Sequence, residues 1–277
     1  MTPRRLAVKA LIHQEQAGYA NLVLDAELKK CDPPMNTRDA AFAARIFYTT
    51  LERLPLLDYT IDRYTKKPVA KLDAPVRAVL RSGLAQAKYM QVPMSAAVNE
   101  SVRLTKALGK SSAAGMVNAV LRNAARTLGF WREPVSYADR YSHPDELITL
   151  LKQSLPKGML EPMLIADNMA PPVTIQVNTL KTTAAALTEA LEAQGIGCQP
   201  HAWMKDCLVL SGLGNLERLA EFGAGHFYVQ DPASKLSVQC AGLEKGWKVL
   251  DCCAAPGGKS FAAAMAMENK GTVYALD

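Results

Sequence analysis

No run of about 18 uncharged apolar residues occurs in the 277-residue sequence, so no membrane-spanning helix is expected. The six cysteines lie at 31, 198, 207, 240, 252 and 253, and none forms a CxxC pair. That removes the usual zinc spacing and fits free thiols in a reducing cytoplasm, so no metal is expected. His143, His201 and His226 stand in no ligand spacing and read as ordinary polar residues. The opening stretch, MTPRRLAVKALIHQEQAG, is basic, but Lys9, His13 and Glu15 break the apolar run that a secretory leader needs. There is no internal repeat and no low-complexity tract. What is present, 49% hydrophobic and 21% charged residues, is the composition of a globular protein, long enough for about two domains.

The net charge of +6 conceals an asymmetry. Residues 1–130 hold 20 Lys and Arg against 10 Asp and Glu, and residues 131–277 hold 12 against 16. A basic first half points to an anionic partner, with nucleic acid ahead of an acidic membrane surface. A solvated helical surface explains the same count without any partner.

Residues 1–130 show helical periodicity and no strand-like alternation, which predicts an all-α bundle. Asn36 or Thr37 can cap a helix with Ala40, Phe42, Ala43, Ile46, Phe47 and Leu51 on one stripe. Asp73 can cap the next, with Pro75 in its first turn and Val76, Val79, Leu80 and Leu84 inward. Ser95 is expected to start a helix closed by Gly109, and Ser112 one running through Val117, Val120, Leu121 and Leu128. Arg77 and Arg81, and Arg122 and Arg126, repeat at i, i+4, so each pair shares a face; these four are the candidate RNA contacts. The basic run RYTKKPVAK (63–71) is either a phosphate contact or a solvated loop.

Residues 131–170 read as a connector with short helices. The period then changes. VTIQVN (173–178) alternates as a strand, TTAAALTEALEAQG is a capped helix ending at Gly195, and further strands are expected near 196–199, at 207–210 and at 226–230. With a helical turn at NLERLAEF this makes β-α-β-β-α-β, a ferredoxin-like α+β unit over 171–230. From 231 to 277 the order helix, strand, Gly-rich loop, helix, strand is the opening of a Rossmann-like doubly wound α/β sheet.

The loop, in VLDCCAAPGGKSFAAA, ends like a phosphate-binding P-loop but lacks its spacing. Cys253 stands where the first glycine belongs, and Pro256 removes a backbone donor. The GxGxxG of dinucleotide enzymes is also absent. Asp277, 19 residues after Gly258, ends the next strand where an acid can accept both ribose hydroxyls. A nucleoside cofactor without a pyrophosphate suits this arrangement, and S-adenosylmethionine is the candidate. A glycine turn with no cofactor stays open on spacing alone.

LDCCAAPGGKS resembles the cofactor motif of the Nop2/Sun family of RNA cytosine-C5 methyltransferases. FYVQDPASKL (227–236) and VNTLK (177–181) resemble the segments before it. VPMSAAVNESV (92–102), LRSGLAQAKYM (80–90) and GMVNAVLRN (115–123) resemble NusB, an RNA-binding helical protein. A NusB-like domain fused to a Nop2/Sun methyltransferase is the arrangement of the Sun (RsmB) type of bacterial 16S ribosomal RNA methyltransferase. The resemblance implies that Cys253, Ala254, Ala255, Pro256, Gly257, Gly258 and Lys259 surround the methionine part of S-adenosylmethionine and that Asp277 holds its ribose. It implies ribosomal RNA as partner, a cytoplasmic location and a monomer. Cys252 stands where the family usually has leucine and is expected as a buried thiol at the strand end.

Methylating C5 of cytosine needs a thiolate that adds to C6, because C5 is unreactive until the ring becomes an enamine. The family uses two cysteines for attack and release, in motifs downstream of the acid that Asp277 matches. None of the six cysteines here stands in such a motif. The chain therefore reads as a piece of a longer enzyme, inactive by itself, with the nucleophile expected beyond Asp277. The alternative is a NusB-like RNA-binding or antitermination module without catalysis.

Overall fold

The computed structural model describes residues 1–16, 18–126, 134–212, 214 and 216–277. They fall into two compact units, 1–169 and 170–277.

The first unit is helical: α1 (Pro3–Gln14), α2 (Ala20–Lys29), α3 (Thr37–Glu52), α4 (Leu54–Asp62), α5 (Ala74–Tyr89), α6 (Met94–Ala107), α7 (Ala114–Arg126), α8 (Tyr137–Tyr141), α9 (Asp145–Ser154) and α10 (Leu160–Asp167). Asn36 caps α3 as expected, its side chain accepting from the Asp39 amide at 2.9 Å. Ala43, Ile46 and Phe47 are fully buried. Helix α5 is buried on nearly every side from Val76 to Gln86, because α1, α3, α4, α6 and α7 all pack on it.

Three boundaries differ from the sequence reading. Asp73 precedes α5, but its carboxylate pairs with Lys110 at 2.7 Å instead of capping the helix. Helix α6 begins at Met94 behind Pro93, which fixes the entry, so Ser95 is inside the first turn. Ser112 lies in a 3-10 turn, Ser111–Ala113, ahead of α7. Leu128, and residues 127–133 with the start of the expected connector, lie outside the described residues.

Helices α8 to α10 belong to the first unit. Arg53, from the junction of α3 and α4, donates to the side chain and the carbonyl of Asn168. The Asn168 amide in turn donates to the carbonyls of Tyr141 (2.8 Å) and Leu164 (2.9 Å). This side-chain network holds short helices that could not persist alone.

The second unit contains β1 (Val173–Val177), α11 (Ala184–Glu192), β2 (Gly197–Pro200), β3 (Cys207–Ser211), α12 (Ala220–Gly223), β4 (Phe227–Val229), α13 (Pro232–Cys240), β5 (Lys248–Asp251), α14 (Gly258–Ala266) and β6 (Thr272–Ala275). The first four strands form an antiparallel sheet in the order β2-β3-β1-β4. Each helical crossover skips one strand, which is the split β-α-β arrangement of a ferredoxin-like fold. Thr183 caps α11, accepting from the Ala186 amide at 3.2 Å. One sheet face is apolar: Ile175, Val177, Leu208, Leu210 and Phe227 pack with Leu187 and Leu191 of α11. Strands β5 and β6 pair in parallel, joined through α14, as the opening of a doubly wound sheet requires.

Candidate functional site

The loop leaves β5 at its carboxyl end and turns into α14. Gly257 sits at φ +105° and occupies the N-cap, where no side chain caps the helix. A residue with a Cβ would be strained there and would meet the Phe261 ring at 3.0 Å. The first amides of α14 have no partner inside the helix and are open to a ligand or to a neighbouring acceptor.

The acid that ends β5 fixes this geometry. Asp251 accepts from the Cys253 amide at 3.3 Å and from the Ser260 hydroxyl at 2.7 Å, tying both ends of the loop together. Asp251, unlike Asp277, is not among the residues expected from sequence, although an acid closing KVLD is a visible signal. The Ala254 amide donates to the Leu276 carbonyl at 3.1 Å, and the Leu276 amide to the Asp251 carbonyl at 2.9 Å. Asp277 is therefore brought beside the loop, at the same end of the parallel pair. Cys253, Ala255, Pro256, Lys259 and Asp277 are exposed, and Ala254, Gly257 and Gly258 half-buried. Cys252 is exposed, contrary to the buried thiol expected, because it lies past the end of β5, where the chain has left the sheet.

The face of the four-stranded sheet opposite its apolar core is polar. Gln176 is directly opposite Cys207 on β3 and Tyr228 on β4, so these three share that face. Gln176 is fully buried, and its Nε2 donates to the Gln230 carbonyl at 3.2 Å and to Cys207 Sγ at 3.3 Å. The Tyr228 ring meets Phe261 of α14 edge-on at 5.6 Å. Burial pushes the Cys207 thiol and the Tyr228 phenol above their ordinary values, and holds the Lys235 ammonium below its own. Lys235 donates to the Lys205 carbonyl at 3.0 Å, beside a cavity of about 170 Å³ lined by Asp206, Gln239 and Ala262. None of these polar residues was singled out from sequence, since a glutamine in VTIQV reads as a solvent-facing position.

The four arginine candidates lie in the first unit and divide into two kinds. Arg77 donates to Glu15 at 2.5 and 2.9 Å and to the carbonyls of Ala70 and Leu72. Arg81 grips Asp58 through two bonds of 2.6 Å and also reaches Glu15. The hydrogen bond from Arg77 and the charge of Arg81 hold the Glu15 carboxyl below its ordinary range, against the effect of burial. This pair binds α5 to α1 and α4. Arg122 and Arg126 are exposed on α7, with Arg122 bonded to Asn118 at 2.9 Å. Arg63, Lys66, Lys67 and Lys71 of the basic run are exposed as well.

Residues 1–126 match the NusB family, and residues 143–217 match the ferredoxin-like domain of RsmF/B-like methyltransferases. The chain carries a NusB domain followed by an RsmF/B-type ferredoxin-like domain. It is 33% identical to ribosomal RNA small subunit methyltransferase B of Vibrio cholerae over 94% of its own length and 59% of that protein. It is 34% identical to the protein of that name from Pseudomonas putida over its whole length and 63% of that protein. The chain thus spans about three-fifths of the length of the curated relatives it matches. The crystal structure of PH0851 superposes on the whole chain and 64% of its own, with a TM-score of 0.66 at 22% identity, a likeness of fold. No described helix is long and apolar enough to cross a membrane.

Proposed function

We propose that this NusB and RsmF/B-type ferredoxin-like chain is the RNA-recognition and cofactor-loop part of an S-adenosylmethionine-dependent methyltransferase acting at C5 of a cytosine in small-subunit ribosomal RNA. The observation that carries the reading is the convergence of the Gly257 turn, the start of α14 and Asp277 at one end of a parallel strand pair. The residues present fit a nucleoside cofactor. Gly257 keeps its N-cap free of a side chain, where a Cβ would meet the Phe261 ring at 3.0 Å. Cys253 to Lys259 would line the methionine part, and Asp277 would accept the ribose hydroxyls. When bound, the cofactor supplies an electrophilic methyl group.

The chain's own residues then act by position. Asp251 holds the loop closed, and Arg122, Arg126 and the 63–71 run offer cations to phosphates. The attacking thiol is assigned to the part of the relatives that this chain does not span, since none of the six cysteines has its motif context.

The test has two arms. Binding of a small-subunit ribosomal RNA fragment should weaken steeply with salt as phosphate contacts release counterions. S-adenosylhomocysteine, the product form of the cofactor, should slow amide exchange in 252–259, with no methyl label passed to RNA by this chain alone. Label transfer would overturn the placement of the thiol. RNA binding with no cofactor effect on the loop would favour a NusB-like RNA-binding or antitermination module.

A further inference from the structure

Helix α14 has no side-chain cap of its own, because its N-cap is Gly257. A side chain from the neighbouring sheet stands beside its first residue. Gln230 follows β4, and its backbone is pinned to β1 by three bonds. Its amide donates to the Thr174 carbonyl at 3.3 Å, and its carbonyl accepts from the Thr174 hydroxyl (3.0 Å) and from Gln176 Nε2 (3.2 Å). From that fixed base the side chain extends to α14. A Cβ on Gly258 would stand 2.8 Å from Gln230 Nε2 and 3.2 Å from Cδ. Two residues earlier, Tyr228 meets Phe261 three residues later in the helix, so the polar edge of β4 follows the first turn of α14.

Two sets of groups here are unmatched. Gln230 Oε1 and Gln176 Oε1 are buried acceptors without donors, and the first amides of α14 are donors without intrahelical acceptors. A half-turn of the Gln230 amide, which exchanges two atoms of nearly equal size, would set an acceptor where Nε2 now stands against Gly258, at the first turn of α14.

We propose that Gln230 is a positioning residue that caps α14 from the adjacent strand and thereby fixes the loop at 252–259. Its importance for a cofactor rests on the function proposed above, whereas the cap itself does not. Gly258 is part of the device: the missing Cβ leaves room for the amide, and nothing in the Gly258 backbone itself forbids alanine. Gly258→Ala therefore displaces Gln230 without straining the turn.

Amide hydrogen exchange on the 277-residue chain tests this. Gln230→Met keeps the volume and removes the acceptor, so exchange in 257–262 should accelerate about tenfold while β1 and β3 stay within about twofold. Gln230→Glu keeps an acceptor, favoured by the helix dipole, and should restore slow exchange. Gly258→Ala should accelerate exchange in the native background and have no further effect in Gln230→Met, since both remove one interaction. A Met variant as protected as the native chain would overturn the cap, leaving packing only. Acceleration spread equally over 171–230 would overturn it in favour of a general structural role. If S-adenosylhomocysteine gives the native loop no protection while these exchange effects stand, the cofactor reading fails and the cap survives.

Discussion

In residues 1–169 buried charge is met by opposite charge: Arg81 lies between Asp58 and Glu15, and Glu27 pairs with Lys30 and hydrogen-bonds to His13. Buried hydroxyls there fold back onto their own helices, as Thr50, Thr60 and Thr105 do on carbonyls one turn earlier. Among the described residues of that unit, the Ser142 hydroxyl is the buried side-chain atom left without a partner. In residues 170–277 the unmatched atoms are Gln176 Oε1, Glu221 Oε2, Tyr228 OH and Gln230 Oε1. Three of these four lie on or beside the polar face of one sheet, next to the glycine loop. Unmatched buried polar groups destabilise a fold, so a protein keeps them where water, a ligand or a moving element completes them. The contrast teaches that the basic first unit uses part of its charge for its own cohesion, whereas the second leaves polarity open at the candidate site.

The largest effect that would break this contrast is expected at Arg81. Arg81→Ala leaves Asp58 without its cation and Glu15 with Arg77 alone, and should destabilise the first unit by about 3 kcal/mol in urea unfolding. A loss within about 0.5 kcal/mol would mean that the network is no more than a surface pairing. A smaller effect is expected in the second unit. Gly257→Ala forces a left-handed residue against Phe261 and should cost about 1–2 kcal/mol, read as a lower midpoint in a thermal scan of residues 170–277.

Acid should separate the two units. The folded pKa of Glu15 is depressed below its ordinary 4.5, so its contribution is present above that pH and is lost as pH falls through the depressed value. The Cys207 and Tyr228 shifts are upward and lie outside the acid range, and the lowered Glu268 of the second unit pairs with Lys245 on the exposed surface, where such a pair contributes little. Circular dichroism at falling pH should therefore show the helical unit loosening below about pH 4.5, an effect that Glu15→Gln reduces and that the lowered Glu27 shares. Unchanged helical signal down to pH 2 would sink this expectation. The smallest effect is at Arg122: alanine there should leave stability within about 0.5 kcal/mol, yet lower the salt slope of RNA binding by about one. An unaltered slope would exclude that side chain from the phosphate contacts.

Much of the fold was legible in the sequence because the signals are local. Asn36 as a cap, the change of period at Val173 and the glycine turn between two short strands each depend on a few adjacent residues. The i, i+4 spacing likewise placed Arg77 and Arg81 on a common face, but it could not say which way that face turns. Glu15 and Asp58 decide that, and both arrive from other helices. Gln176 was illegible for the same kind of reason. Alternation in VTIQV marks it as the outward residue of a half-buried strand, and it becomes fully buried only because further chain covers the second face. Asp251 was legible in KVLD, but the ribose role expected of Asp277 left the motif with no evident need for a second acid.

The strand order β2-β3-β1-β4 also governs when this protein can assemble. The middle strand β1 is among the first parts of its unit to be synthesised, yet Ile175 has no neighbour on either edge until Leu208 and then Val229 exist. The helical unit does not wait on this, because its partners, down to Asn168 against Arg53, are all made before β1. On a ribosome the first 169 residues can therefore be compact while β1 still waits with both edges open. That interval, more than the final stability of either unit, sets when the growing chain is exposed to wrong strand pairing.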